Sequence, residues 1–282
     1  MIHSQQNELK NVANQITNVM IIGSMKSGTS TLFNYLKNHP EICPSIVKEP
    51  EFFSKNLGHS KYKVDNYYEL FPLHTGNYKF TLEASTGYTK FPLERDVPER
   101  IYLYGLNPKF IYIVRNPFDR IRSHYNFMQK NIKWEKKMDS AHLINTSNYF
   151  LQLREYTKFF SKDKILIVDF EDLIKKQQFV LKKIYSFIEV AHYYYPKKYI
   201  ISNKTKPINN QYEAIIRNRL NDVAKWFPSP IKSFGNSLLR MVFNSKQQEL
   251  TKTQTGIIHN ALKQDMIKFQ ETYGFDVSRW GF

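Results

Sequence analysis

Residues Ile21–Leu32, IIGSMKSGTSTL, decide how the rest of the chain is read. Gly23 and Gly28 are separated by four residues, as in the phosphate-binding loop of nucleotide hydrolases, where Lys and then Ser or Thr follow the second glycine at once. Here Thr29 stands in the lysine's place, Ser30 fills the hydroxyl position, and Lys26 sits inside the loop. Upstream, NVMIIG is a short apolar run ending in glycine, the pattern of a strand buried on both faces. Downstream, TSTLFNYLKNH places Leu32, Phe33 and Leu36 on one helical face. The local order is therefore strand, glycine loop, helix.

Such a loop has a physical use. Successive backbone N–H groups from Ser27 to Thr31, at a helix start, form a cradle for a tetrahedral anion, assisted by the helix dipole. The hydroxyls of Ser27, Thr29, Ser30 and Thr31 are expected to add donors. A lysine at the mouth of that cradle reaches an oxygen bridging two anionic groups.

The same alternation continues along the chain. YKFTLEAS, KFIYIV and KILIVDF read as strands, and VPERIYLYGL, with Pro98 in a first helical turn, FDRIRSHYNFMQ and EDLIKKQQFVLKKIYSFIEV as helices. In the last, Leu173, Val180, Leu181, Ile184 and Phe187 recur at helical spacing. HPEICPSIVKEPEFF is expected to be irregular and punctuated by proline. The fold class is α/β: a single P-loop-type domain with a central parallel sheet, helices on both faces, and a helical C-terminal part. That part includes NQYEAIIRNRLNDVAKWF and TGIIHNALKQDMIKFQETYG, with Gly274 as a C-cap. In such sheets ligands bind beyond the carboxyl ends of the strands.

A second charged turn follows a strand end, VRNPFDRIRSHYNF, with Arg115, Arg120, Ser123 and Tyr125. Arg115 leaves the strand, and Ser123 lies about two turns along the next helix, so both reach one phosphate only if it sits on the helix side. The forked guanidinium suits a phosphate monoester. An anion site at each turn points to a ligand phosphorylated at both ends of a nucleoside.

Composition sets the outer limits. The chain has 282 residues, 41 Lys plus Arg against 25 Asp plus Glu, and a net charge of +16, a field that attracts nucleotides and anionic glycans. Residues 1–17 are expected as a flexible N-terminal extension and 18–282 as one domain. The single cysteine, Cys43, cannot form an intrachain disulfide, which favours a reducing compartment. No run is apolar and long enough for a signal peptide or a transmembrane helix, so a cytoplasmic protein is expected, with peripheral membrane contact left open. The eight histidines show no metal-ligand spacing, and no metal is expected.

GSMKSGTSTL, HPEI, KEPEFF and IVRNPFDRIRSHY, in this order and spacing, resemble the sulfotransferase family that uses 3′-phosphoadenosine 5′-phosphosulfate (PAPS), in particular the glycan sulfotransferases of the heparan-sulfate type and their bacterial relatives. The resemblance covers the chain from about Asn18 to Phe187. It implies that Lys26 contacts the oxygen between 5′-phosphate and sulfuryl group, that Ser27, Gly28, Thr29, Ser30 and Thr31 hold the 5′-phosphate, and that Arg115 and Ser123 hold the 3′-phosphate. It implies a catalytic glutamate at Glu49, with Glu51 next, and a donor-covering loop at Lys204, Thr205 and Lys206, where Pro207 replaces a glycine. Pro50 is expected to keep Glu49 extended and so aim its carboxylate. A solvent-facing role is the alternative for Glu51, where the family often has His. Glu83 matches a family glutamate, whereas Ala84 stands where the heparan enzymes carry Lys.

The implied reaction is in-line, metal-free transfer of a sulfuryl group to a hydroxyl or amine of a carbohydrate or glycolipid, with an acidic glycan favoured by the charge and no nucleic acid as partner. Two alternatives stay open. One is a P-loop nucleotide kinase or hydrolase with Asp169 as magnesium ligand; the other is a non-catalytic polyanion-binding module.

Overall fold

The structure is a computed structural model, and it describes residues 16–55, 64–131, 135–191, 193–196 and 247–282. Five strands form one parallel sheet: β1 (Thr17–Gly23), β2 (Ile42–Pro44), β3 (Phe80–Ala84), β4 (Lys109–Val114) and β5 (Ile165–Asp169), in the order β2-β3-β1-β4-β5. The helices are α1 (Thr29–Leu36), α2 (Val97–Leu103), α3 (Pro117–Asn131), α4 (Ala141–Asn145), α5 (Tyr149–Thr157), α6 (Phe170–Lys175), α7 (Gln177–Ile188) and α8 (Lys252–Tyr273).

Alternation along the strands explains the layers. Val19 and Ile21 of β1 pack with Leu32 and Leu36 of α1 and with Leu181 and Ile184 of α7. Met20 and Ile22, pointing the other way, join Tyr149 and Tyr156 of α5 and Leu262, Met266 and Phe269 of α8. Both faces are thus covered, as a parallel sheet requires. Each large apolar side chain buried this fully contributes roughly 1.5–3 kcal/mol.

Two expectations need correction. The segment read as irregular contains β2, whose Cys43 pairs with Thr81. The run after β5 is two helices, broken at Lys176, whose φ of −131° leaves the helical range. Asp169 caps the first of them through the Glu171 N–H. The Gly274 cap matches its expectation: φ is 67°, and its N–H donates to Gln270 O. The N-terminal stretch 1–15, Lys204, Thr205, Lys206, Pro207 and the expected helix NQYEAIIRNRLNDVAKWF lie outside the described residues.

Because β1 lies between β3 and β4, successive crossovers leave it in opposite directions, and a cleft opens beyond Gly23 and Val114. Among the described residues, no helix is long and apolar enough to cross a membrane.

Candidate active site

A cavity of about 740 Å³ lies at that cleft, lined among others by Lys26, Gly28, Thr29, Ser30, Thr31, Lys48, Glu49, Arg115 and Ser123. The volume suits a nucleotide-sized ligand. The two charged turns, 89 positions apart for Lys26 and Arg115, meet in this one space.

The glycine loop is shaped by its backbone. Lys26 has φ 71° and Gly28, the N-cap of α1, φ 90°. At Gly28 a side chain would be strained and would press a Cβ to 3.1 Å from the Phe170 ring. Gly28, Thr29, Ser30 and Thr31 therefore bring the start of a helix to the cavity, where the helix dipole favours an anion. Ser27 departs from expectation. Its hydroxyl is buried against Ser24 Oγ at 2.6 Å and its N–H donates to Ser24 O, so it braces the loop and does not line the cavity. Ser24 Oγ in turn donates to Ile113 O of β4.

Lys26 holds its ammonium over the Phe127 ring of α3, 4.5 Å from the centroid. Arg115 donates from one terminal nitrogen to Lys26 O at 3.0 Å and lies over Phe170, 4.6 Å from the centroid. Its Nε is buried with no hydrogen-bond partner, an unmet donor at the edge of the cavity. The Tyr149 hydroxyl donates to Arg115 O and accepts from Arg115 N–H, fixing the turn.

Arg120 and Ser123, grouped together in the sequence, are separated in space. Arg120 is fully buried and donates to Ser147 Oγ, Leu143 O and Met25 O, which supports the loop from below. The cavity face of α3 is instead Asp119, Arg122, Ser123 and Phe127. Sequence reasoning missed Arg122, although residues 119, 122, 123 and 127 share one face at a spacing of three to four. Arg122 is held by Asp119 at 2.7 Å and Glu249 at 2.6 Å.

On the opposite side, Glu49 lines the cavity, and Lys48 pairs with its carboxylate at 2.5 Å. The expected extended backbone at Glu49 is overturned: φ is 59° there and 51° at Glu51, so the chain turns through the left-handed region on both sides of Pro50. Glu51 does not face solvent. Its carboxylate accepts from Gly87 N–H at 2.8 Å and Ser54 Oγ at 2.6 Å, and burial pushes its pKa up. A Cβ on residue 87 would fall 2.2 Å from that carboxylate, so a side chain there would push the carboxylate from its place. Glu83 is buried outright beneath this segment.

Asp169, the magnesium-ligand candidate, is committed elsewhere: besides capping α6 it pairs with Arg279 at 2.6 Å, and it is absent from the cavity lining. Among the described residues, no group of three or more His, Cys, Asp or Glu is placed to hold a metal ion.

Similarity to known proteins agrees with this geometry. The profile of the sulfotransferase domain matches residues 17–274. The chain is 32% identical over 130 residues to the membrane-associated sulfotransferase kil1 of Dictyostelium discoideum, an alignment covering 45% of this chain and 26% of that protein. It is 27% identical over 203 residues to heparan sulfate glucosamine 3-O-sulfotransferase 5 of Mus musculus, covering 66% and 57%. The chain thus spans only part of the length of these relatives. A sulfotransferase from Alicyclobacillus acidocaldarius shares the fold, with a TM-score of 0.66 at 18% identity over 94% of this chain and 99% of that one. With a domain profile covering almost the whole described chain, and with the two charged turns brought to one cavity, the protein belongs to the sulfotransferase family.

Proposed function

We propose that this protein transfers a sulfuryl group from PAPS to a hydroxyl or amine of a carbohydrate or glycolipid acceptor, with Glu49 as the base. The observation that carries the reading is the convergence of Lys26, the α1 N-terminus, Arg115 and Ser123 on one cavity. The residues present fit such a donor: the helix start and Lys26 suit its 5′ end, and Arg115, whose buried Nε lacks a partner, suits with Ser123 a 3′-phosphate. When bound, the donor supplies a sulfuryl group already activated by its bond to phosphate.

The chain's own residues then have distinct tasks. Lys26 neutralises charge that gathers on the bridging oxygen as the sulfur–oxygen bond to phosphate breaks. Glu49 accepts the acceptor's proton as the new sulfur–oxygen bond forms, because a hydroxyl is a weak nucleophile until deprotonated. Lys48 keeps the Glu49 carboxylate oriented at the cavity wall. The relatives' names support a carbohydrate acceptor, and the charge of +16 supports an acidic one. Commitment of Asp169 to Arg279 and to the α6 cap argues against magnesium-dependent ATP chemistry.

Thermal unfolding tests the donor. Adenosine 3′,5′-bisphosphate should raise the Tm well above the shift given by ATP or AMP at equal concentration, because stabilisation follows affinity for the folded state. Equal shifts from all three overturn the reading.

A further inference from the structure

The segment that carries Glu49 is fastened at every second backbone N–H. Glu49 N–H donates to Ala84 O at 2.9 Å, Glu51 N–H to Ser85 Oγ at 3.1 Å, Phe53 N–H to the Tyr88 hydroxyl at 3.2 Å, and Lys55 N–H to Glu94 Oε1 at 2.6 Å. This is the spacing of a strand added to an edge, but two of the four acceptors are side-chain hydroxyls. A hydroxyl rotates, so its lone pairs face a given N–H only if something else takes its proton.

Glu83 does so for both. Ser85 Oγ donates to Glu83 Oε2 at 3.1 Å, and the Tyr88 hydroxyl reaches both carboxylate oxygens at 3.3 Å. Tyr67 adds a bond to Oε1 at 3.1 Å. Glu83 has no accessible surface and does not line the cavity, so it touches neither donor nor acceptor. The fastening has work to do, since Glu49 and Glu51 both hold φ values that side chains adopt only under constraint.

We propose that Glu83 is a positioning residue for Glu49: by orienting the hydroxyls of Ser85 and Tyr88 it fixes the register of residues 49–55, and with it the place of the base. The inference rests on the reading of Glu49 as base. Facing Glu83 are Tyr67, Ser85 and Tyr88, Glu51 from the fastened segment, and Tyr156 from α5. Burial pushes the Glu83 carboxyl up to about 8, against the hydroxyl donors and with the help of the Glu51 charge. Glutamine offers the same pairing of one donor and one acceptor as the protonated acid, and so serves as the conservative variant.

The test uses Glu83→Ala, Glu83→Gln and the double variant Ser85→Ala/Tyr88→Phe, which removes the two fastening hydroxyls and stands in if Glu83→Ala does not fold. Three quantities are read: amide exchange at residues 51 and 53, the Tm shift from adenosine 3′,5′-bisphosphate, and transfer from labelled PAPS to heparan sulfate. In Glu83→Ala and the double variant, exchange at 51 and 53 should rise about tenfold. In the same two variants kcat should fall about a hundredfold, with donor KM and the bisphosphate shift kept. Glu83→Gln should restore slow exchange and most of the turnover, and should lack the inflection near pH 8 expected of the parent protein. Parental exchange and kcat in the double variant overturn the inference, as does failure of Glu83→Gln to rescue, or loss of the bisphosphate shift together with kcat. A parent protein that shows no bisphosphate shift defeats the donor reading instead. If heparan sulfate is not an acceptor, exchange alone decides, and unaltered rates at 51 and 53 overturn the inference.

Discussion

Gly28, Thr29, Ser30 and Thr31 on one side of the cavity and Glu49 on the other both sit at the carboxyl end of the same sheet, yet they are held there differently. The donor side is a strand end, a glycine with φ 90° and a helix start, geometry that a few consecutive residues determine. The acceptor side is an irregular segment held by partners some 35 positions away, among them Ser85, Gly87 and Tyr88. The shape of the glycine loop is thus largely a local property of the chain, whereas the place of Glu49, the proposed base, depends on tertiary contacts. A change behind the base should alter chemistry without altering nucleotide affinity, and a change in the arginine turn should do the reverse.

The sharpest break is Glu49→Gln, which keeps the side chain's shape and one acceptor oxygen for Lys48 but removes the charge and the proton acceptor. Turnover should fall by about 10²–10⁴-fold, measured with labelled donor, while the bisphosphate-induced Tm shift stays. Turnover kept near the parental level would move the base elsewhere. Next in size is Arg115→Ala. It should weaken adenosine 3′,5′-bisphosphate by roughly 1.5–3 kcal/mol, read by calorimetry, and weaken AMP by much less. An equal loss for both ligands would mean that Arg115 holds the loop and not the 3′-phosphate.

The smallest effect is on stability. Burial pushes the Glu83 carboxyl up to about 8, above the usual carboxylate value of 4.5, so between these values the native state should keep a proton that the unfolded chain has lost. Stability should therefore fall as pH rises toward 8, with a slope of at most about 1.4 kcal/mol per pH unit for one proton. Below pH 6.5 the half-buried His142, pushed down to about 4, contributes the opposite slope, which places the clear window between 6.5 and 8. Urea titrations across that window should show the decline, and Glu83→Gln should flatten it.

The sheet was legible because β1, β3, β4 and β5 are apolar runs ending at turn residues, and the loop because glycine spacing constrains backbone directly. The three-residue β2 escaped because a strand so short, ending in Pro44, carries no period. The break at Lys176 escaped because Leu173 and Val180 keep helical spacing across it and both remain buried. At the site, Lys26, Thr29, Ser30, Thr31, Arg115 and Ser123 could be placed from motif spacing. The inward turn of Ser27 could not, since it depends on Ser24 and on Ile113 of a distant strand. Pro50 misled for a similar reason: the local preference for extended backbone before proline yields to four fastened N–H groups and to Gly87, which admits the Glu51 carboxylate.

The bond from Arg115 to the carbonyl of Lys26 joins the two ends of the donor site through the protein itself. In the proposed complex, a 3′-phosphate that holds the guanidinium where it stands should also fix the lysine's own peptide through that bond. Fragments that fill each end separately should then bind with mutual cooperativity, and a nucleotide missing one anion forfeits more than that anion's own contacts. On the proposed reading, selectivity against everyday adenine nucleotides is in this sense the task of a single shared arginine.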